Sequence, residues 1–218
     1  MMIQKFLKKN LWDNETKNEF LQTLEIYSDD EKCQFIFDII PKILKPNNNM
    51  NIISAENILV YATQHFFNNV SDAHYKALIY YRLGEVYELY WEDYIRAYTA
   101  YKKYELNNTR FGGIHSILLR VLLLRDNFAY SEELQKELEL SYGEVDLGLR
   151  KDRIYENIGS LIAAQKEGNE ELCEKLIKRI KAIVKADEWF FLDLIFRKDT
   201  IPDSLKAPQK LLDYVNSL

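Results

Sequence analysis

Residues 77–106, ALIYYRLGEVYELYWEDYIRAYTAYKKYEL, hold eight tyrosines and one tryptophan. Within them, small residues stand at helical distance from large ones: Gly84 follows Tyr80 by four positions, and Ala97 precedes Tyr101 by four. Positions four apart share one face of an α-helix. The spacing therefore predicts two helices joined by a turn at Trp91–Asp93. A small residue on each helix would let the two backbones approach closely.

The same residues carry a resemblance to a known family. Tyr80-x2-Leu83-Gly84-x2-Tyr87, followed by Ala97-x3-Tyr101, resembles the tetratricopeptide repeat (TPR), with tyrosine in place of that family's Trp and Phe. A fainter match begins at Tyr155, in Tyr155-x2-Ile158-Gly159-x2-Ile162. The resemblance implies an all-α fold, a TPR-like α-solenoid of about eleven to twelve antiparallel helices, with the framework tyrosines in the core.

The rest of the chain favours helices as well. There are only seven glycines and four prolines in 218 residues, and hydrophobic residues make up 47% of the total. Apolar residues recur at helical spacing almost throughout, and Ser28 with Glu31 forms a capping box. We expect Pro41 to kink or shorten its helix. The expected organisation is one domain, 1–218, with N-terminal helices in 1–45, a loop at 46–53, a helical-repeat body in 54–198 and a C-terminal capping helix in 199–218.

The first helix of the repeat suggests one binding surface. In this family the matching first-helix positions line the concave groove, so the resemblance implies that Tyr81, Glu85, Glu88 and Leu89 face a partner. Two carboxylates there favour a basic segment. The alternative is that both are solvated helix charges.

The turn between the two helices suggests a second surface. Tyr90, Trp91 and Tyr94 lie at or beside it. Tyrosine and tryptophan are enriched at interaction hot spots because they offer large rigid area with a polar tip. Packing against the next hairpin explains them equally well.

A third candidate is the acidic segment 126–146. It carries seven acidic residues against one lysine, a formal charge of −6, whereas the whole chain carries −5. Such a surface can steer a basic partner, although a solvated face is the usual explanation of a charge run. The residues proposed to bind are Glu132, Glu133, Glu137, Glu139, Glu144 and Asp146.

Several function classes find no support in the sequence. His65, His74 and His115 stand in no metal-ligand spacing, and catalytic or phosphate-binding motifs are missing, so we predict no catalytic residue, metal or cofactor. The acidic balance argues against nucleic acid as the partner. Cys33 and Cys173 suit buried thiols in a reducing compartment. The sequence shows no signal peptide and no membrane span, which predicts a cytoplasmic protein.

Together these patterns predict a non-enzymatic protein-binding module whose partner is another protein with a basic surface. The leading hypothesis is a cytoplasmic immunity-type protein that binds and neutralises a toxin. The alternative is a TPR-like adaptor that binds a peptide in its concave groove. An enzyme on a helical scaffold is the third class, and it would require a pocket built from distant residues.

Overall fold

The computed structural model describes residues 3–45, 48–108, 114–143, 152–186 and 206–218. These residues form ten α-helices and two short 3-10 segments, and no β-strand occurs among them. The predicted all-α fold is therefore confirmed.

The helix bounds agree closely with the periodicity of the sequence. In chain order they are α1 Asn14–Thr23, α2 Asp29–Leu44, α3 Asn49–His65, α4 Ala73–Leu89, α5 Tyr94–Asn107, α6 His115–Arg125, α7 Glu132–Gly143, α8 Asp152–Glu167, α9 Glu170–Ala186 and α10 Lys206–Ser217. The 3-10 segments are Ile3–Lys8 and Leu24–Ile26. Residues 187–198, the end of the predicted helical-repeat body, lie outside the described residues.

Side-chain caps fix where several helices begin. Ser28 and Glu31 form the predicted capping box: Ser28 N donates to Glu31 Oε2 at 2.9 Å, and Glu31 N donates to Ser28 Oγ at 3.4 Å. Asn169 Oδ1 accepts from Leu172 N at 3.1 Å and caps α9. Asp72 caps α4, with its side chain accepting from His74 N. Each cap satisfies a backbone N–H that has no partner inside its helix.

The predicted loop at 46–53 is wrong over most of its length. Asn48 Oδ1 accepts from Asn51 N at 2.9 Å, so α3 begins at Asn49 rather than at the predicted Ser54. Clustered asparagines favour turns because their side chains bond nearby backbone groups. Here the bond from the Asn48 side chain to a backbone N–H caps the start of a helix instead.

Asn51 is a buried polar hub. Its side chain is 0% exposed, and its Nδ2 donates to Ile43 O at 2.8 Å and to Asn10 O at 3.1 Å. Its Oδ1 accepts from Trp12 N at 2.8 Å. One side chain thus joins the segment before α1 and the end of α2 to the start of α3.

The described residues fall into two compact units, the first reaching residue 108 and the second starting at 114. In the first unit α2 packs against α3 and α4, α3 against α4, and α4 against α5. In the second, α6, α7, α8 and α9 repeat that order of contacts. Each unit therefore contains two stacked helical hairpins. A solenoid running through the whole chain stays a prediction.

Pro41 lies within α2, which nevertheless continues to Leu44. Because proline has no N–H, the carbonyl of Phe37, four residues earlier, lacks its helical donor. Arg82 of α4 replaces that donor: its Nε donates to Phe37 O at 3.2 Å, and its guanidinium lies 4.0 Å above the centre of the Phe37 ring. The gap that Pro41 leaves in the helix is closed by a neighbouring helix.

The two cysteines differ in burial, contrary to the expectation that both are buried. Cys33 is buried in the first unit, and burial raises the pKa of its thiol to about 12, whereas Cys173 is only half-buried. The thiolate is the reactive form. In the folded protein at mildly alkaline pH we expect Cys173 to react with a thiol-specific reagent such as DTNB while Cys33 stays protected until unfolding.

The Cys173→Ser variant is the control for this labelling experiment. It should lose the fast-reacting thiol in the folded state and still release one equivalent in denaturant. Fast labelling of Cys33 in the folded variant would contradict the burial described above.

Candidate protein-binding surfaces

The hairpin of α4 and α5 is packed around Gly84. A Cβ added at Gly84 would lie 2.5 Å from Cε1 of Tyr101, so the Tyr101 ring occupies the space that the glycine leaves open. Leu83, Ala97 and Tyr101 are buried, as the predicted framework requires. Tyr80 and Tyr87 are half-buried instead, which corrects their assignment to the core.

The predicted groove carboxylates differ in environment. Glu88 is 1% exposed, and its Oε2 accepts from Tyr101 Oη at 2.9 Å. Glu85 is half-buried, with Oε2 2.5 Å from Arg82 Nη1. The placement of Glu88 on an open groove is therefore wrong. Glu88 follows Gly84 by four residues, so it shares the face that packs on α5, and this spacing could have revealed its position.

The other two groove residues pack partly inward. The Tyr81 ring lies 5.9 Å from that of Tyr101 and 5.4 Å from that of Tyr104, measured between centroids. Tyr81 and Leu89 are both half-buried. Each retains some exposed surface. The two predicted groove carboxylates beside them are engaged within the fold, Glu85 with Arg82 and Glu88 with Tyr101.

The aromatic turn packs inward as well. Tyr90 and Trp91 lie against the hydrophobic core of the first unit, and Tyr94 is buried. Burial raises the pKa of Tyr90 to about 12. This geometry favours the packing explanation of the three residues over the hot-spot explanation.

The acidic segment is divided by the helical period of α7. Glu132, Glu133 and Glu139 are exposed, whereas Glu137 is 1% exposed and lies 2.9 Å from His115 Nδ1 through its Oε2. The placement of Glu137 on the acidic face is therefore wrong. It sits between the buried residues Leu134 and Leu138 in the sequence and shares their face.

Two of the residues predicted for the acidic face, Glu144 and Asp146, lie outside the described residues.

The exposed glutamates of α7 differ in their partners. On the outer side of the helix, Glu133 pairs with Arg125, with 2.5 Å between Glu133 Oε2 and Arg125 Nη2. Glu132 and Glu139 have no basic partner within 4.0 Å in the described part of the chain, and Glu139 accepts only from Gln135 Nε2, at 3.0 Å. We call these three exposed glutamates the α7 outer face.

A cleft that the sequence did not suggest lies in the first unit. Its volume is about 280 Å³, and we call it the α3–α5 cleft. Tyr80, Leu83 and Tyr87 of α4 line it, together with Val60 and Thr63 of α3 and Arg96, Thr99, Ala100 and Lys103 of α5. The half-buried tyrosines of the repeat therefore line a surface depression.

Comparison with models of known protein families gives no match, and comparisons with curated proteins and with solved structures likewise give none. Among the described helices, none combines the length and the apolar character needed to cross a membrane. The fold defines the chain as an all-α protein with stacked helical hairpins in each unit.

Proposed function

We propose that this chain is a non-enzymatic protein-binding module that recognises a basic surface of a folded partner through the α7 outer face. The supporting observation is that Glu132 and Glu139 are exposed and lack a basic partner among the described residues. They are seven positions apart, which places them on the same side of the helix and about 10.5 Å apart along its axis. Two carboxylates at that separation, neither in an ion pair among the described residues, suit two cations on a partner.

Apolar surface next to these charges supports a protein as the partner. Leu140 adjoins Glu139 and is 42% exposed, and Tyr130 precedes α7 and is 39% exposed. Protein interfaces combine a few apolar or aromatic anchors with a charged rim. Charges at such a rim mainly speed the encounter and select the partner, and salt screens them.

In its sharper form the proposal is an immunity-type protein whose basic partner is a toxin that it neutralises. The adaptor alternative loses part of its basis because Glu88 is buried. The two hypotheses differ in the partner: a neutraliser binds one folded protein and abolishes its toxicity, whereas an adaptor binds extended peptides.

Charge reversal on α7 tests the proposal. We expect Glu132→Lys with Glu139→Lys to weaken binding of a basic partner by about 10- to 100-fold, because two attractive contacts become repulsive. The partner would be captured from native-cell lysate on the wild-type protein and then purified. Its Kd would be measured by calorimetry at low and moderate salt, and its toxicity tested with and without this chain.

The matched control is Glu170→Lys with Glu174→Lys on α9. Both residues are exposed, and one of them opens its helix, as Glu132 opens α7. Both variants change the net charge from −5 to −1, so a general charge effect would weaken both equally. Equal Kd values for the two variants would exclude the α7 outer face as the binding surface.

A further inference from the structure

The α3–α5 cleft carries one cation that the fold leaves uncompensated. Arg96 is already engaged, because its guanidinium bonds Asp93 Oδ2 at 2.7 Å and Glu56 Oε1 at 2.9 Å. Lys103, seven positions further along α5, has no acidic partner within 4.0 Å in the described part of the chain. Lys103 Nζ lies 5.4 Å from the centroid of the Tyr80 ring.

The cleft also offers a hydroxyl donor. Tyr80 is half-buried, and its Oη makes no hydrogen bond to any described residue. Burial raises the pKa of Tyr80, so the phenol keeps its proton at neutral pH. A phenol and an ammonium group on one rim form two donors, the arrangement that a carboxylate accepts from.

The two threonines of the cleft supply hydrogen-bond acceptors, which complement the two donors. Thr63 Oγ1 donates to Val60 O at 2.7 Å, and Thr99 Oγ1 donates to Ile95 O at 2.9 Å. With their protons committed, both hydroxyl oxygens can only accept from a ligand. A fully ionised anion such as sulfate has no proton to donate to these acceptors, whereas a peptide brings backbone N–H groups.

The volume and the apolar lining of the cleft limit which ligands can fit. About 280 Å³ is at the lower limit of small-molecule pockets. The volume suits one or two side chains rather than a cofactor. Val60, which is half-buried, adds apolar surface to the depression, and the buried Leu83 lies beneath it in the lining.

We propose that the α3–α5 cleft binds an acidic peptide segment, in which a Glu or Asp carboxylate accepts from Lys103 and Tyr80 while a neighbouring apolar side chain packs on Val60. This site is separate from the α7 outer face and prefers the opposite charge. It contains none of the residues assigned to the predicted concave groove.

The test is a titration of the isotopically labelled full chain with acetyl-Leu-Glu-Leu-amide, followed by amide chemical shifts in NMR. We expect a Kd near the millimolar range, with shifts at Tyr80 and along Thr99–Lys103. The isosteric peptide acetyl-Leu-Gln-Leu-amide should bind about tenfold more weakly, because it loses the charge-assisted hydrogen bonds.

Variants of the chain complete the test. Lys103→Gln should weaken the glutamate peptide about tenfold, and Tyr80→Phe should weaken it several-fold. Lys102→Gln is the matched control: it is the adjacent residue, it pairs with Glu105 at 2.5 Å and it does not line the cleft, so its Kd should equal that of the wild type. Spectra of the free variants verify that each is folded.

Three results would overturn the proposal: equal affinity for the two peptides, equal affinity of Lys103→Gln and the wild type, or no shift with about 10 mM of the glutamate peptide. The α7 charge-reversal variant should bind this peptide normally. Failure of the cleft proposal and failure of the proposed function are therefore distinguishable.

Discussion

Replacing Asn51 by alanine should lower the free energy of unfolding by about 3 kcal/mol. The side chain satisfies three backbone groups, namely Trp12 N–H and the carbonyls of Asn10 and Ile43. Each lost hydrogen bond costs about 1 kcal/mol, and more where the group left behind is buried. Since total stabilities are about 5–15 kcal/mol, the loss should be plain in urea unfolding followed by circular dichroism.

Two further variants test whether the loss of stability comes from the hydrogen bonds of Asn51 or from replacing any asparagine in this helix. Asn49, two residues earlier in the same helix, is exposed, and Asn49→Ala should change stability by no more than about 0.5 kcal/mol. Asn51→Asp keeps an acceptor for Trp12 N–H but directs a carboxylate at two carbonyl oxygens. It should therefore be at least as destabilising as Asn51→Ala. If Asn51→Ala lowered the free energy of unfolding no more than Asn49→Ala, the stabilising role of the Asn51 hydrogen bonds would be refuted.

Gly84→Ala should destabilise the protein by about 2 kcal/mol. The new Cβ would lie 2.5 Å from Tyr101 Cε1, and the Tyr101 ring is buried with its hydroxyl bonded to Glu88. Overpacking of this kind costs about 1–3 kcal/mol or more. Alanine is better than glycine in a helix by about 1 kcal/mol, but that gain is too small to offset the clash.

Gly159→Ala is the natural comparison, since Gly159 holds the corresponding place in the fainter match to the repeat. Its added Cβ would meet Leu138 Cδ1 at 3.3 Å, the end of a flexible side chain that can yield. Helix propensity should then dominate, and stability should stay level or rise by up to about 1 kcal/mol. Tyr101→Leu should relieve part of the Gly84→Ala defect in the double variant. If thermal or urea unfolding gave both glycine variants the same stability, we would conclude that the close packing of α4 on α5 does not exclude a side chain at residue 84.

The positions of the helices could be predicted from the sequence because their causes are local. The apolar period and the capping box at Ser28 act within a few residues, and the structure confirms that capping box. The role of Asn51 is different. Its spacing of four from the buried Ala55 could have placed it on the packed face of α3, but its partners at Asn10 and Trp12 lie 41 and 39 residues away, so a sequence window does not contain its hydrogen bonds.

The candidate surfaces were predicted less well, for a physical reason. The resemblance places Glu88 on the groove and charge places Glu137 on the acidic face, although their spacing from Gly84 and from Leu134 puts each on a packed face. The buried partners that make this possible, Tyr101 and His115, belong to other helices. The α3–α5 cleft is likewise built by three helices, and Tyr80 was expected in the core.

The contact between Arg82 and the Phe37 carbonyl has a consequence for how this sequence can change over evolutionary time. A chain that lost Arg82 while retaining Pro41 would leave a carbonyl without its donor, whereas one that first replaced Pro41 would restore the helix's own hydrogen bond and leave Arg82 only its ion pair with Glu85 and its contact with the Phe37 ring. The two positions are therefore linked by the order of substitution. The route that changes residue 41 first stays open, and the reverse route passes through a less stable intermediate.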